Sequence, residues 1–180
     1  VASSVSETTS SQRIARLQYV QGGGNVYVQS EFKINFAGNQ LFSYLVNKSG
    51  GEFSWEGETS SNLNPTTFPS FISGGNSISE LKYFWNGTYG CGGKTVFPIA
   101  THNDLHYGFI HINTDPNKGR IMTTSDQDWI KIATEVGQEH RLQLMKNLLN
   151  TLANGVDKLV TPDIRISFLQ QSLCPGTPFD

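Results

Sequence analysis

In the run Thr101-His102-Asn103-Asp104-Leu105-His106, two imidazoles and a carboxylate recur at every second residue. Alternate side chains of an extended chain share a face. His102, Asp104 and His106 would then present the donor set that zinc or non-haem iron takes. A metal-dependent hydrolase is one reading of such a face, with Glu52 or Asp128 as the general base. The competing reading is a turn, because Asn and Asp side chains bond their own backbone, and a turn at 102–104 scatters the trio. No H-E-x-x-H or comparable compact motif accompanies the three residues.

Aromatic residues make a second constellation. Tyr83, Phe84, Trp85 and Tyr89 fall within seven residues beside a glycine-rich run, and Phe53 and Trp55 sit in a long polar stretch with Glu56 beside them. Rings on loops, with carboxylates and amides as hydrogen-bond partners, suit stacking against a sugar or an extended partner chain. The ligand-binding residues predicted on this basis are Trp55, Glu56, Tyr83, Trp85 and Tyr89.

Other chemistry fails on spacing. Gly93-Lys94-Thr95 resembles the end of a phosphate-binding loop, but the position that needs the first glycine holds Thr88, and the extended run Val96-Phe97-Pro98-Ile99 follows instead of a helix. Glu52, Glu56 and Glu58, and likewise Asp126 and Asp128, read as solvated acidic turns. There is no G-x-S-x-G nucleophile elbow. No cofactor is expected, apart from zinc or iron under the metal reading.

The elements that must position these residues follow from periodicity. Residues 1–12 read as a flexible tail, and 13–180 as one domain with a long irregular insertion at about 47–76. The run Arg13–Gln21, the glycines at 22–24 and the alternation from Val26 to Phe36 predict a hairpin, with a third strand over 41–46. Further strands are predicted at 94–100, 106–113 and 120–123, with a turn at 115–119. For 129–136 a strand is favoured over a helix. Leu142, Met145, Leu148, Leu149 and Leu152 predict a helix from Gln138 to the stop at Asn154-Gly155. A last strand covers 164–168. The fold class is α+β: a mostly antiparallel, hairpin-rich sheet with one long helix in the C-terminal half packed on one face.

Composition narrows the function. The 180 residues are 37% hydrophobic and only 16% charged, with a formal net charge of −2. The 13 Lys and Arg are dispersed, which disfavours nucleic-acid binding. No apolar run approaches 18 residues, which excludes insertion as a spanning helix. A neutral polar surface and the two cysteines Cys91 and Cys174 predict a secreted or cell-surface chain with one disulfide between them. The sequons Asn47-Lys48-Ser49 and Asn86-Gly87-Thr88 are candidate glycosylation sites.

The order of predicted elements, an early hairpin, a central sheet, a helix ending in Ala-Asn-Gly, a strand and a late cysteine, resembles in layout the receptor-binding B subunits of some bacterial toxins. That resemblance implies binding more than catalysis. The leading expectation is a secreted, non-catalytic recognition domain that binds a glycan or a surface protein through its aromatic loops. The alternatives are the metal-dependent hydrolase and a structural subunit of an extracellular filament or virion, the last as a homo-oligomer.

Overall fold

The computed structural model describes residues 9–59, 66–69, 72, 80–81, 87–129 and 138–154. Helix α1 (Ser10–Gln21) stands where the sequence suggests a tail and the first arm of a hairpin. A capping box starts it. The Gln12 N–H donates to Thr9 Oγ1 at 3.3 Å, and the Thr9 N–H donates to Gln12 Oε1 at 3.1 Å, satisfying donors that a helix start otherwise leaves open. The glycines end this helix and make no hairpin: Gly23 takes φ +94, a conformation most side chains avoid.

Strand β1 is only Val26–Val28. The alternation beyond it is not a strand; the chain bends over 29–36 into helix α2 (Ala37–Lys48). Leu41, Phe42, Leu45 and Val46 are all buried on that helix. Their i, i+1, i+4, i+5 spacing is helical, which is why the expected strand over 41–46 does not form.

The remaining strands are β2 (Phe53–Thr59), β3 (Thr66–Thr67), β4 (Glu80–Leu81), β5 (Gly87–Gly92), β6 (Val96–His102), β7 (Leu105–His111) and β8 (Ile121–Thr123). A short 3₁₀ turn, Gln127–Trp129, precedes helix α3 (Gln138–Asn154). The sheet runs β1-β8-β7-β6-β3-β4, and β2 joins through β5, which pairs with β7. Every pairing is antiparallel except β1–β8. Two expectations change here: part of the predicted irregular insertion is strand β2, and the glycine-rich run is strand β5. Residues 130–136 and 164–168, where further strands were expected, lie outside the described residues.

Neighbouring residues of one strand divide between two cores, as a pleat requires. Phe109 and Ile121 join Val20, Leu41, Phe42 and Leu45 of the first two helices. Ile110 and Met122 join Leu144, Leu148 and Leu152 of α3, together with Tyr107 and Trp129. Helices therefore line both faces of the sheet, where one helix on one face was expected; the α+β class, dominated by the sheet, stands. Helix α3 has the expected bounds, but Leu142 and Leu149, expected in the core, are exposed. The Arg120 guanidinium donates to the carbonyls of Leu152 (3.2 Å) and Ala153 (3.0 Å). A cation there meets the negative end of the α3 dipole and takes up last-turn acceptors. The layout resemblance to toxin B subunits does not hold, because its early hairpin is replaced by α1 and α2 around a parallel strand pair.

Candidate functional site

The trio at 102–106 sits on a two-residue hairpin. Asn103 and Asp104 both have positive φ, +49 and +60, the backbone of the turn that matches the twist of adjoining strands and that Asn and Asp tolerate. Across it, Thr101 pairs with His106 and His102 with Leu105. Paired residues share a face and neighbours oppose, so His102 and His106 point to opposite sides of the sheet. His102 is buried, and the Asn103 amide donates to its Nε2 at 3.0 Å, using the lone pair a metal would take. His106 Nδ1 is hydrogen-bonded with Thr101 Oγ1 at 3.2 Å. Among the described residues no group of three His, Cys, Asp or Glu side chains could hold a metal ion. The metal face predicted from an extended chain is thus corrected by the turn.

Two of the three residues nevertheless share a site. A cavity of about 430 Å³ lies between Thr67, Phe68 and Pro69 on one side and Pro98, Thr101, Asp104 and His106 on the other, a volume within the range of small-ligand pockets. Strand β3 forms one wall because Thr67 pairs with Thr101, and Thr67 Oγ1 donates to the Thr101 carbonyl at 3.2 Å. Sequence reasoning found Asp104 and His106 for the wrong chemistry. It missed Thr67, Phe68, Pro69 and Pro98, whose meeting depends on strand pairing that no local pattern announces.

The aromatic residues are placed differently. Trp55 packs among Phe42, Phe53 and Phe109, with centroids 6.0, 4.8 and 5.7 Å away. Its Nε1–H donates to the Asn39 carbonyl at 2.9 Å, so the ring fastens β2 to α2. Tyr89 stacks edge-on near Tyr107, at 6.2 Å, and covers Gly57. Glu56 lies at a bulge in β2, exposed, with a carboxylate oxygen 3.0 Å from Cys91 Sγ. Tyr83, Trp85, Asn86 and Cys174 lie outside the described residues. Cys91 is not a free thiol, and Cys174, the partner expected for it, is among the residues just named. Asn47 is exposed, yet its carboxamide bonds both the N–H (2.9 Å) and the carbonyl (3.1 Å) of Phe53. A glycan on that nitrogen would cost the tie between α2 and β2.

A second polar concentration occurs where the parallel strands β1 and β8 end, the place where open sheets commonly bind ligands. Here the groups satisfy one another. Tyr27 OH bonds Thr124 Oγ1 at 2.7 Å, Ser30 Oγ bonds Thr123 Oγ1, and Thr123 Oγ1 bonds the Val28 carbonyl at 2.9 Å. The Gly108 N–H donates to Ser125 Oγ at 2.6 Å. Ser30, Thr123, Thr124 and Ser125 have no exposed surface. Burial pushes the Tyr27 phenol above its ordinary range, and the Asp126 charge adds to this against the Thr124 hydrogen bond. The phenol stays protonated and structural.

His111 ends β7 buried, with Nδ1 3.3 Å from the Thr95 carbonyl and Nε2 without a hydrogen-bond partner among the described residues. Burial holds its pKa below the ordinary value, against the pull of the Thr95 and Ser49 backbone. Between the folded and unfolded values the unfolded chain binds more protons. The contribution is therefore complete above about pH 6.5 and is lost as pH falls through the lower folded value. Thermal midpoints measured from pH 7.5 down to 5 should fall, and His111→Asn should flatten that fall; an equal slope in the variant assigns it to other groups.

No protein-family model matches the sequence, and no curated protein matches it. Solved structures do. One, "mmIFT52 N-terminal domain", superposes with a TM-score of 0.61 at 10% identity, over 83% of this chain and 73% of that one. The expectation of a secreted, adhesive, extracellular chain is corrected on this finding. The likeness found is to an IFT52 domain, and the extracellular assignment had only composition and cysteine count behind it. At this identity the likeness carries the fold alone: the chain is similar in architecture to an IFT52 N-terminal domain.

Proposed function

We propose that this chain is a non-catalytic binding domain for a protein partner, and that the cavity between β3 and the β6–β7 hairpin receives part of that partner. The observation that supports this most is a contrast in exposure. The polar groups at the ends of β1 and β8 are buried and bonded to one another, whereas the cavity sets exposed or half-buried hydroxyl, carboxylate and imidazole groups beside the rings of Phe68, Pro69 and Pro98. Recognition sites have that mixture. The metal-hydrolase alternative loses its basis because His102 and His106 face apart. A protein partner is compatible with the likeness to the IFT52 domain. No described helix is long and apolar enough to cross a membrane.

Selection of a displayed random peptide library against the folded chain tests this reading. Enriched peptides should bind the wild type and lose at least about tenfold in affinity, equal to 1.4 kcal/mol, on Thr67→Trp, which fills the cavity from an exposed strand position. A library that enriches nothing above background, or peptides indifferent to Thr67→Trp, would overturn it.

A further inference from the structure

The cavity has a chemical preference that can be read from its walls, given the binding role proposed above. Asp104 is its one carboxylate among the described lining residues, and no described Lys or Arg lines it. The Asp104 side chain is exposed at the hairpin tip, while the described ion pair, Lys118–Asp115 at 3.9 Å, lies elsewhere. The hairpin fixes this carboxylate at the mouth, because the backbone turns at Asn103 and Asp104 themselves.

The cavity wall also carries apolar rings. Phe68, Pro69 and Pro98 contribute rings, and Phe68 is held from behind by Trp129, edge-on at 6.4 Å. Thr67 Oγ1 and Thr101 Oγ1 each already make one hydrogen bond, and a hydroxyl oxygen has two lone pairs with which to accept further donors.

We propose that the occupant is an arginine side chain of the partner protein. A guanidinium bonds a carboxylate through two parallel N–H groups and lays its plane against aromatic and ring surfaces. Its remaining donors reach hydroxyl oxygens such as those of Thr67 and Thr101. A lysine ammonium would satisfy the charge without the planar fit, and a neutral ureido group the planar fit without the charge.

The test uses three small probes, N-acetyl-arginine amide, N-acetyl-lysine amide and N-acetyl-citrulline amide, titrated into the ¹⁵N-labelled chain at millimolar concentration. The arginine probe should shift the amide resonances of Thr67, Thr101 and His106, and the lysine and citrulline probes should shift them less. Asp104→Asn keeps the left-handed turn, since Asn tolerates it, and should weaken arginine binding about tenfold, as loss of a charge-assisted hydrogen bond does. Equal shifts from citrulline and arginine would overturn the proposal. So would arginine shifts unchanged in Asp104→Asn. Silence from all three probes, while library peptides lacking arginine bind in a Thr67-dependent way, would overturn the arginine assignment and leave the binding reading standing. Failure of the library selection overturns the binding reading itself, which separates the two.

Discussion

Gly38→Ala should unfold the chain more readily by about 3 kcal/mol or more, although the position lies inside a helix where alanine is the better residue by about 1 kcal/mol. Gly38 stands in the first turn of α2, where the chain leaving β1 crosses it. A Cβ built there would lie 1.8 Å from the Gln29 carbonyl oxygen and 2.9 Å from its carbon. Both atoms are backbone, and neither has a rotamer with which to retreat. The helix must therefore move off β1, and its neighbours Leu41 and Phe42 would leave the core with it. At about 2–4 °C per kcal/mol for a chain of this size, the midpoint should fall by about 6–12 °C. A calorimetric scan decides between the two effects: a raised midpoint would show that helix propensity wins and that the contact with Gln29 is loose.

The second large effect is expected at Asn39, one residue on and completely buried. Its carboxamide is fully engaged. Oδ1 accepts from the Glu31 N–H at 3.0 Å, and Nδ2 donates to the carbonyls of Glu31 and Lys33, each at 2.8 Å, and to Thr88 Oγ1 at 3.3 Å. One side chain thus replaces the ladder that the segment 31–33 lacks, and ties it to α2 and β5. Asn39→Ala should cost about 2–4 kcal/mol, because it removes several bonds of a buried side chain and leaves the Glu31 N–H without this acceptor, at about 1–3 kcal/mol for such a group, while the Glu31 and Lys33 carbonyls keep Thr88 Oγ1 and the Phe36 N–H as donors. Asn39→Asp keeps the acceptor for Glu31 and loses both donors, so it should recover only part of the loss. Chemical denaturation of the three proteins gives the order wild type, Asp, Ala; equal stability of the Ala variant would mean that water takes over the Asn39 bonds.

These two residues also show where the sequence misleads. Alternation from Val26 to Phe36 and the apolar cluster at 41–46 each fit a strand over a short window, and the true helix α2 has no side-chain cap of its own. Its start is fixed by Asn39 reaching back to residues 31 and 33, a contact invisible along the chain. Helix α1 was legible: Thr9-Ser-Ser-Gln12 is a capping-box spacing, followed by Leu17 and Val20 on one face. The low apolar content of 10–21 hides it. Helix α3 was read correctly in extent because its periodicity is long, but Leu142 and Leu149 are exposed on the side away from Leu144, Leu148 and Leu152. A leucine-rich helix states its type more clearly than its inward face. The candidate site was half legible. Asn103-Asp104 marks the turn, and Asp104 and His106 were singled out, but Thr67, Phe68 and Pro98 join them only through the β3–β6 and β6–β7 registers.

The most direct test of the binding account is amide hydrogen exchange of the chain, alone and saturated with a peptide selected from the library. Binding in the cavity predicts slowed exchange confined to residues 67–69 and 99–106, on the facing walls of β3 and the hairpin. Protection that falls instead on β2 and β5 around Trp55 and Tyr89, or on the exposed leucines of α3, would place recognition elsewhere and contradict the account.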